Sequence, residues 1–473
     1  MSKRAYDTEI VDRSKQNQGS RAMRVSKGAD QTSTTTLQIS RRSLMIGATG
    51  VIFASTGLAS QVKPAGAAIL DNKTRLTRAR LDELAARSYG IFNENKVLPE
   101  FDNNKYQAAI DVELHRITTF TQVPETGETV KISGLLALPA GAKGPLPVLS
   151  WQHGTTFSFM QAPSNLYLAA EPDYVMKENV DSQETLFNIH RFAANGYAVI
   201  AADYIGKGPY HGSQSETYAV KDASTRTSID ILNAGLEGMR QLGVEPAELF
   251  LNGWSQGGLN TQWLHQALQT SGIPVRAAGA SSPFNDVVES FDFWTGSVTF
   301  PDPPGVSYPP RPKWLTLSVI LVLGSYQSYY RLDDLIDTVA RPEYVPMVRK
   351  FLADYDMNLD FSKIPMPEDL LIESASSQFV NETYSRFRRQ LAANTASYFE
   401  YSNPIRLFYG LADEPLHPTM CRRAVNAGGP MMDGVAISGA SHRVTFLASL
   451  YGEPDQLQGR PNLVNWFNSL RAD

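Results

Sequence analysis

The apolar residues of the chain fall into two kinds of run. Alternation over 109–122 and 129–138, separated by Pro124-Glu125-Thr126-Gly127, predicts a β-hairpin with one face buried and marks the start of a sheet edge. After it the runs are short and continuously apolar, at 147–151, 197–202, 249–252, 275–280, 405–409 and 435–438. Runs of that kind fit strands covered on both faces. Between most of them lie segments with the amphipathic spacing of crossover helices: 184–194, 225–242, 258–270 and 461–470. In 225–242 the apolar positions are Ile229, Leu232, Leu236 and Met239. Strands alternating with helices predict an α/β fold whose mostly parallel central sheet is flanked by helices.

The alternation stops between Pro283 and Asn403, where about 120 residues separate two consecutive sheet strands. That interval predicts a large helical cap inserted before a late strand. The expected organisation is therefore a tail and signal over 1–67, core over 68–282, cap over 283–402 and core again over 403–473. The cap opens with a Pro- and aromatic-rich stretch, 300–312, and continues into an apolar helix at 314–330. Only about ten residues there are predominantly apolar, half of a membrane span, so a buried lid helix is expected rather than an anchor.

The first 36 residues are polar, and Ser40-Arg41-Arg42-Ser43-Leu44-Met45 leads into a mildly apolar stretch ending at Ala65-Gly66-Ala67. Paired arginines, a short apolar region and a small-x-small site predict a twin-arginine export signal, with a mature start near Ala68 in a periplasmic or secreted protein. The length of chain before the arginines makes Met23 an alternative start. Removing 1–67 takes ten basic and four acidic residues from 43 and 48, leaving 33 and 44, a formal net charge of −11. An acidic body argues against nucleic acid as a partner. A single cysteine, Cys421, excludes an intramolecular disulfide and reads as a core residue, and no Cys/His spacing suggests a metal. No cofactor is expected.

Chemistry concentrates at Gly253-Trp254-Ser255-Gln256-Gly257, which follows the apolar run 249–252 and precedes the helix at 258–270. Glycines two before and two after a serine allow a strained strand-to-helix turn that lifts the hydroxyl clear of the sheet. A serine nucleophile needs a base touching it and a carboxylate fixing that base. In this chain order the acid sits on the turn after a late strand. Asp413, past the run 405–409, is the favoured acid, with Glu414 and Asp286 in reserve. Of the two histidines beyond that point, His417 is four residues from Asp413, too close to be presented by a separate loop. His442, after the strand at 435–438 and the turn Gly439-Ala440-Ser441, is the expected base. The oxyanion donors expected are the backbone N–H of Gln256 and a group of Thr155, in Trp151-Gln152-His153-Gly154-Thr155-Thr156. His153 and Asp203 read as braces of loops beside the site.

With these residues assigned, 105–473 resembles the α/β-hydrolase superfamily, and within it the secretory lipase family. The residues carrying the finer likeness are His153-Gly154, the stretch 197–208, Ala278-Gly279-Ala280 and the cap before the acid strand. Fungal members of that family carry disulfides, which this chain cannot form. The resemblance implies hydrolysis of carboxylic esters without cofactor, through an acyl-enzyme.

The expected function is an exported carboxylesterase or lipase acting on a small-molecule or lipid ester, with transient lipid contact through the cap. Phe293, Trp294, Phe300, Tyr308, Trp314 and Leu315 either line an acyl pocket or hold the cap together. A serine aminopeptidase or amidase is the alternative, in which Asp333-Asp334 or Glu368-Asp369 would receive a substrate amine. A third reading is an inactive hydrolase homologue that only binds a ligand.

Overall fold

A computed structural model describes residues 68–471 apart from positions 95, 179, 213, 306, 356–359, 361 and 373–380. The expected export signal lies outside the described residues. Among the described residues nine strands form one sheet: β1 (Ile69–Leu76), β2 (Val112–Gln122), β3 (Thr129–Pro139), β4 (Gly144–Gln152), β5 (Ala198–Ala202), β6 (Val244–Trp254), β7 (Ala277–Ser281), β8 (Ile405–Gly410) and β9 (Met432–Ile437). Their spatial order is β1-β2-β3-β5-β4-β6-β7-β8-β9. The first three pairings along that order are antiparallel and the five from β5 to β9 are parallel.

The continuous apolar runs mark the strands covered on both faces, since every residue of β5, β7 and β8 is buried. The sheet edge is not the predicted hairpin. It is β1, whose register against β2 shifts between Asp71 and Thr74, so its apolar residues do not alternate cleanly. Helix α1 (Arg78–Phe92) follows, capped by Thr77, whose hydroxyl accepts from the Arg80 N–H; it buries Leu81, Leu84, Ala85, Tyr89 and Phe92. The crossover helices are α2 (Gln183–Arg191), α3 (Lys221–Gln241) and α4 (Gln256–Thr270). Small residues in β7 admit a neighbouring helix: a Cβ on Gly279 would collide with Leu463.

Among the described residues between β7 and β8 lie six helices: α5 (Val287–Trp294), α6 (Leu315–Tyr329), α7 (Leu335–Val339), α8 (Val345–Asp354), α9 (Pro367–Leu370) and α10 (Glu382–Ala393). In α6 only Gln327 and Ser328 escape burial. It is fastened to the segment after β5 by polar contacts: Ser325 Oγ donates to the Glu216 carbonyl (2.7 Å), Tyr326 to that of Ala219 (2.9 Å) and Tyr329 to that of Ser215 (2.6 Å). A buried ion pair adds to this, Lys207 Nζ to Glu216 Oε2 at 3.0 Å, with Tyr355, just past α8, donating to the same oxygen. No helix among the described residues is long and apolar enough to cross a membrane. The chain ends with α11 (Pro418–Ala427), α12 (His442–Tyr451) and α13 (Leu463–Leu470).

Candidate active site

Ser255 sits between the end of β6 and the start of α4 with φ +56° and ψ −118°, a conformation side chains rarely tolerate. Its backbone N–H donates to the Ser281 carbonyl (2.9 Å). The flanking glycines are required by contact. A Cβ on Gly253 would strike the Gly257 carbonyl, and one on Gly257 would strike the carbonyls of Gln152 and His153. The elbow is thus packed against the end of β4, whose continuation is the loop 153–156. Gln256 opens α4, so its N–H is one of the first-turn donors without an intrahelical partner.

Asp413 follows β8 and is wholly buried. His442 is the first residue of α12, and its Nδ1–H donates to Asp413 Oδ1 at 3.0 Å and Oδ2 at 3.2 Å. That bond leaves Nε2 as the basic nitrogen. The backbone of His442 is held from both sides: its N–H donates to Glu414 Oε2 (3.0 Å), and its carbonyl accepts from Trp254 Nε1 (3.2 Å). Ser255 and His442 are 8% and 7% exposed and both line one cavity of about 430 Å³. Thr155 lines it too, its hydroxyl 2.9 Å from that of Tyr218.

The reserve acids have other duties. Asp286 caps α5, accepting from the Glu289 N–H, and Glu414 accepts from His442 as above. His417 caps α11 by accepting from the Thr419 N–H. His153 stacks on Tyr204 at 4.1 Å, contacts the Gly154 and Asp203 carbonyls, and is pushed down to about pKa 4 by burial. Asp203 accepts from Ser133 Oγ (2.5 Å) and the Ser164 N–H (2.8 Å). Cys421 is buried and burial pushes its thiol up.

Of the six apolar cap residues, only Trp314 lines the cavity. Phe293, Phe300 and Tyr308 gather around the His417 ring, Trp294 donates to the Pro415 carbonyl, and Leu315 is buried in α6. Neither Asp333-Asp334 nor Glu368-Asp369 lines it. Further walls come from the body: Phe92 at the end of α1, Glu94 just past it, Phe157, Gln161, Glu178, Asp181, and Gln183 and Glu184 in the first turn of α2.

Two positioning residues escaped the sequence. Ser282, at φ +46°, donates to Asp413 Oδ2 and steadies the acid from the end of β7. Glu184, in the first turn of α2, accepts the Gly154 N–H at 2.9 Å and so fixes the loop that carries Thr155. Burial pushes its carboxyl up to about 7. Desolvation likewise raises Glu414. Among the described residues no group of three or more His, Cys, Asp or Glu is placed to hold a metal ion.

The secretory lipase family model matches residues 175–280, from the cavity wall through the elbow to β7. No curated protein sequence matches the chain. Among solved structures, a protein from Legionella pneumophila superposes with a TM-score of 0.65 at 20% identity, covering 85% of this chain and 98% of that one. The rice cell wall degrading esterase LipA from Xanthomonas oryzae gives 0.62 at 18%, covering 82% and 98%. Candida antarctica lipase A gives 0.52 at 12%, covering 79% and 77%. The fold is the α/β-hydrolase fold.

Proposed function

We propose that this α/β-hydrolase chain is an exported serine hydrolase of the lipase and esterase type, with Ser255, His442 and Asp413 as its triad. The observation that carries the reading is the strained serine elbow opening into the same cavity as an imidazole held by a buried carboxylate. The secretory lipase match across the elbow supports both the chemistry and export.

In the first half-reaction the Ser255 hydroxyl attacks the ester carbonyl while His442 Nε2 takes its proton. Asp413 holds the imidazole in the Nδ1–H tautomer and stabilises the cation that forms. The tetrahedral oxygen is bound by the Gln256 N–H and by Thr155; one such donor contributes about 3–4 kcal/mol. The intermediate collapses as His442 returns the proton to the departing alcohol, leaving an acyl group on Ser255. Water, deprotonated by the same imidazole, then releases the acid. The substrate is a small-molecule ester, free or presented at a lipid surface, and the leader at 1–67 directs export by the twin-arginine route.

Labelling with a fluorophosphonate probe tests the nucleophile. Stoichiometric labelling is expected, and its loss in Ser255→Ala. Ser255→Ala and His442→Ala should each lower kcat by about 10⁴–10⁶, because triad members fail as a unit. Retention of a tenth of the activity by either variant, or an unlabelled wild-type protein, refutes the assignment; the latter outcome favours a protein that only binds its ligand. The N-terminal residue of the exported protein tests the leader.

A further inference from the structure

The loop that continues β4 spends most of its polar groups on the body of the protein. The Gly154 N–H donates to Glu184 Oε1 at 2.9 Å, the His153 carbonyl accepts from the Tyr204 hydroxyl at 3.1 Å, and the Thr156 carbonyl accepts from Lys207 Nζ at 3.1 Å. The Thr155 hydroxyl is placed differently. Thr155 lines the cavity that Ser255 and His442 share, and among the described residues the partner of its hydroxyl is that of Tyr218, 2.9 Å away.

Tyr218 is held by the cap. Its N–H donates to Ser325 Oγ at 3.1 Å, and Ser325 in turn donates to the Glu216 carbonyl. Ser318, seven residues earlier on α6 and so on the same face two turns away, is a hydrogen-bonding neighbour of the Tyr218 phenol. The ring stacks on Phe284 at 5.9 Å and is 1% exposed. Burial pushes the phenol up, so its oxygen keeps its proton wherever a histidine base can work. That proton needs an acceptor, and the two oxygens beside it are those of Thr155 and Ser318.

A phenol is a better donor and a poorer acceptor than an aliphatic alcohol, so Tyr218 gives its proton to one of these alcohols and takes one from the other. A negative oxygen in the cleft decides between them. It draws the Thr155 proton toward itself, which leaves the Thr155 oxygen to accept from Tyr218 while Ser318 donates to the phenol oxygen. Each bond in such a chain polarises the next. We infer that the Thr155 hydroxyl donates to the tetrahedral oxygen, beside the Gln256 N–H, and that Tyr218 is the positioning residue that aims it. The inference rests on the proposed hydrolase reading and deepens it. Without the phenol the Thr155 hydroxyl turns among its rotamers and must be reoriented during the reaction; with it, the donor is set before the charge develops.

Turnover of 4-nitrophenyl acetate by variants of the full chain tests the relay. Thr155→Val removes the hydroxyl but keeps the shape and the backbone N–H, and should lower kcat by about 10² with little change in KM. Thr155→Ser, which restores a hydroxyl, should recover most of that loss. Tyr218→Phe should lower kcat by about tenfold, again with KM nearly unchanged. In the Thr155→Val background the same change should cost nothing further, because its effect passes through the missing hydroxyl. A trifluoromethyl ketone, 1,1,1-trifluorooctan-2-one, reads the oxyanion itself: it adds to Ser255 as a hemiketal whose ionisation is followed by fluorine NMR. The pKa of that hemiketal should rise by about one unit in Tyr218→Phe, the same factor of ten, which loosened packing alone would not produce. Undiminished kcat in Thr155→Val, or losses that simply add in the double variant, overturns the inference, and fluorophosphonate labelling of the wild type then leaves the hydrolase standing. A wild-type protein that neither labels nor turns over the ester overturns the hydrolase reading and the relay with it.

Discussion

Glu184→Gln separates the charge of a buried carboxyl from its shape. The glutamine keeps an oxygen to accept the Gly154 N–H, so the loop carrying Thr155 stays tied, and only the titration is removed. In the folded protein burial holds the Glu184 carboxyl at about 7, against an ordinary value of 4.5. Between those two pH values the folded state keeps a proton that the unfolded chain has lost. Stability associated with this group is therefore fully present below pH 4.5, falls as pH rises, and is lost once pH passes about 7. At about 1.4 kcal/mol per tenfold, the whole window amounts to about 3 kcal/mol. Urea unfolding of wild type and Glu184→Gln at intervals from pH 4 to pH 8.5 reads it directly. The stability of the variant relative to wild type should climb by about 3 kcal/mol across the window and level off on either side. Parallel pH profiles would show that Glu184 ionises normally, and the account of a desolvated carboxyl tying down the loop would have to be abandoned.

Lys207→Met leaves the buried Glu216 side chain without its cation and should cost about 3–5 kcal/mol; adding Glu216→Gln should recover much of it, and a single variant as stable as wild type in urea would contradict the buried pair. Gly257→Ala drives a methyl group into the backbone at the end of β4, so soluble protein, if obtained, should lack fluorophosphonate labelling; normal labelling would mean that the elbow and the loop 153–156 are not packed as described. Ser282→Ala removes one donor to Asp413 and should lower kcat by about tenfold with KM unchanged, a loss of about 1–2 kcal/mol in the transition state, whereas an effect confined to KM would place Ser282 outside the relay.

What could be read in advance was what local pattern controls. Strands buried on both faces announce themselves as apolar runs, and the elbow is specified by glycines only two residues from Ser255. The order of serine, acid and base then left few positions for Asp413 and His442, and the structure brings those two into contact. The features that escaped depend on distant partners. β1 pairs with a strand some forty residues later and breaks register on the way, so its own alternation is blurred. Glu184 has the sequence position of an exposed first-turn helix charge, and becomes buried only because the loop after β4 folds over it. Ser282 looks like any residue after a strand until Asp413 arrives from 131 positions away. The role of the apolar cap residues stayed open for a related reason: composition reveals a hydrophobic cluster without saying which way it faces, and here five of the six, Leu315 among them, pack within the cap or against the core rather than line the cleft.

The way α6 is held down decides which part of the cap stays put. A rod that is greasy on nearly every side, and whose own three hydroxyls grip the carbonyls of Ser215, Glu216 and Ala219, cannot swing out into water as a hinged door would. It serves as a fixed beam of the cap, and among the described residues the cap meets the cleft only through Trp314, the residue before its first turn. Whatever occupies the cleft is therefore met by a single indole from the cap and otherwise by residues of the body, Phe92, Glu94, Glu178 and Glu184 among them.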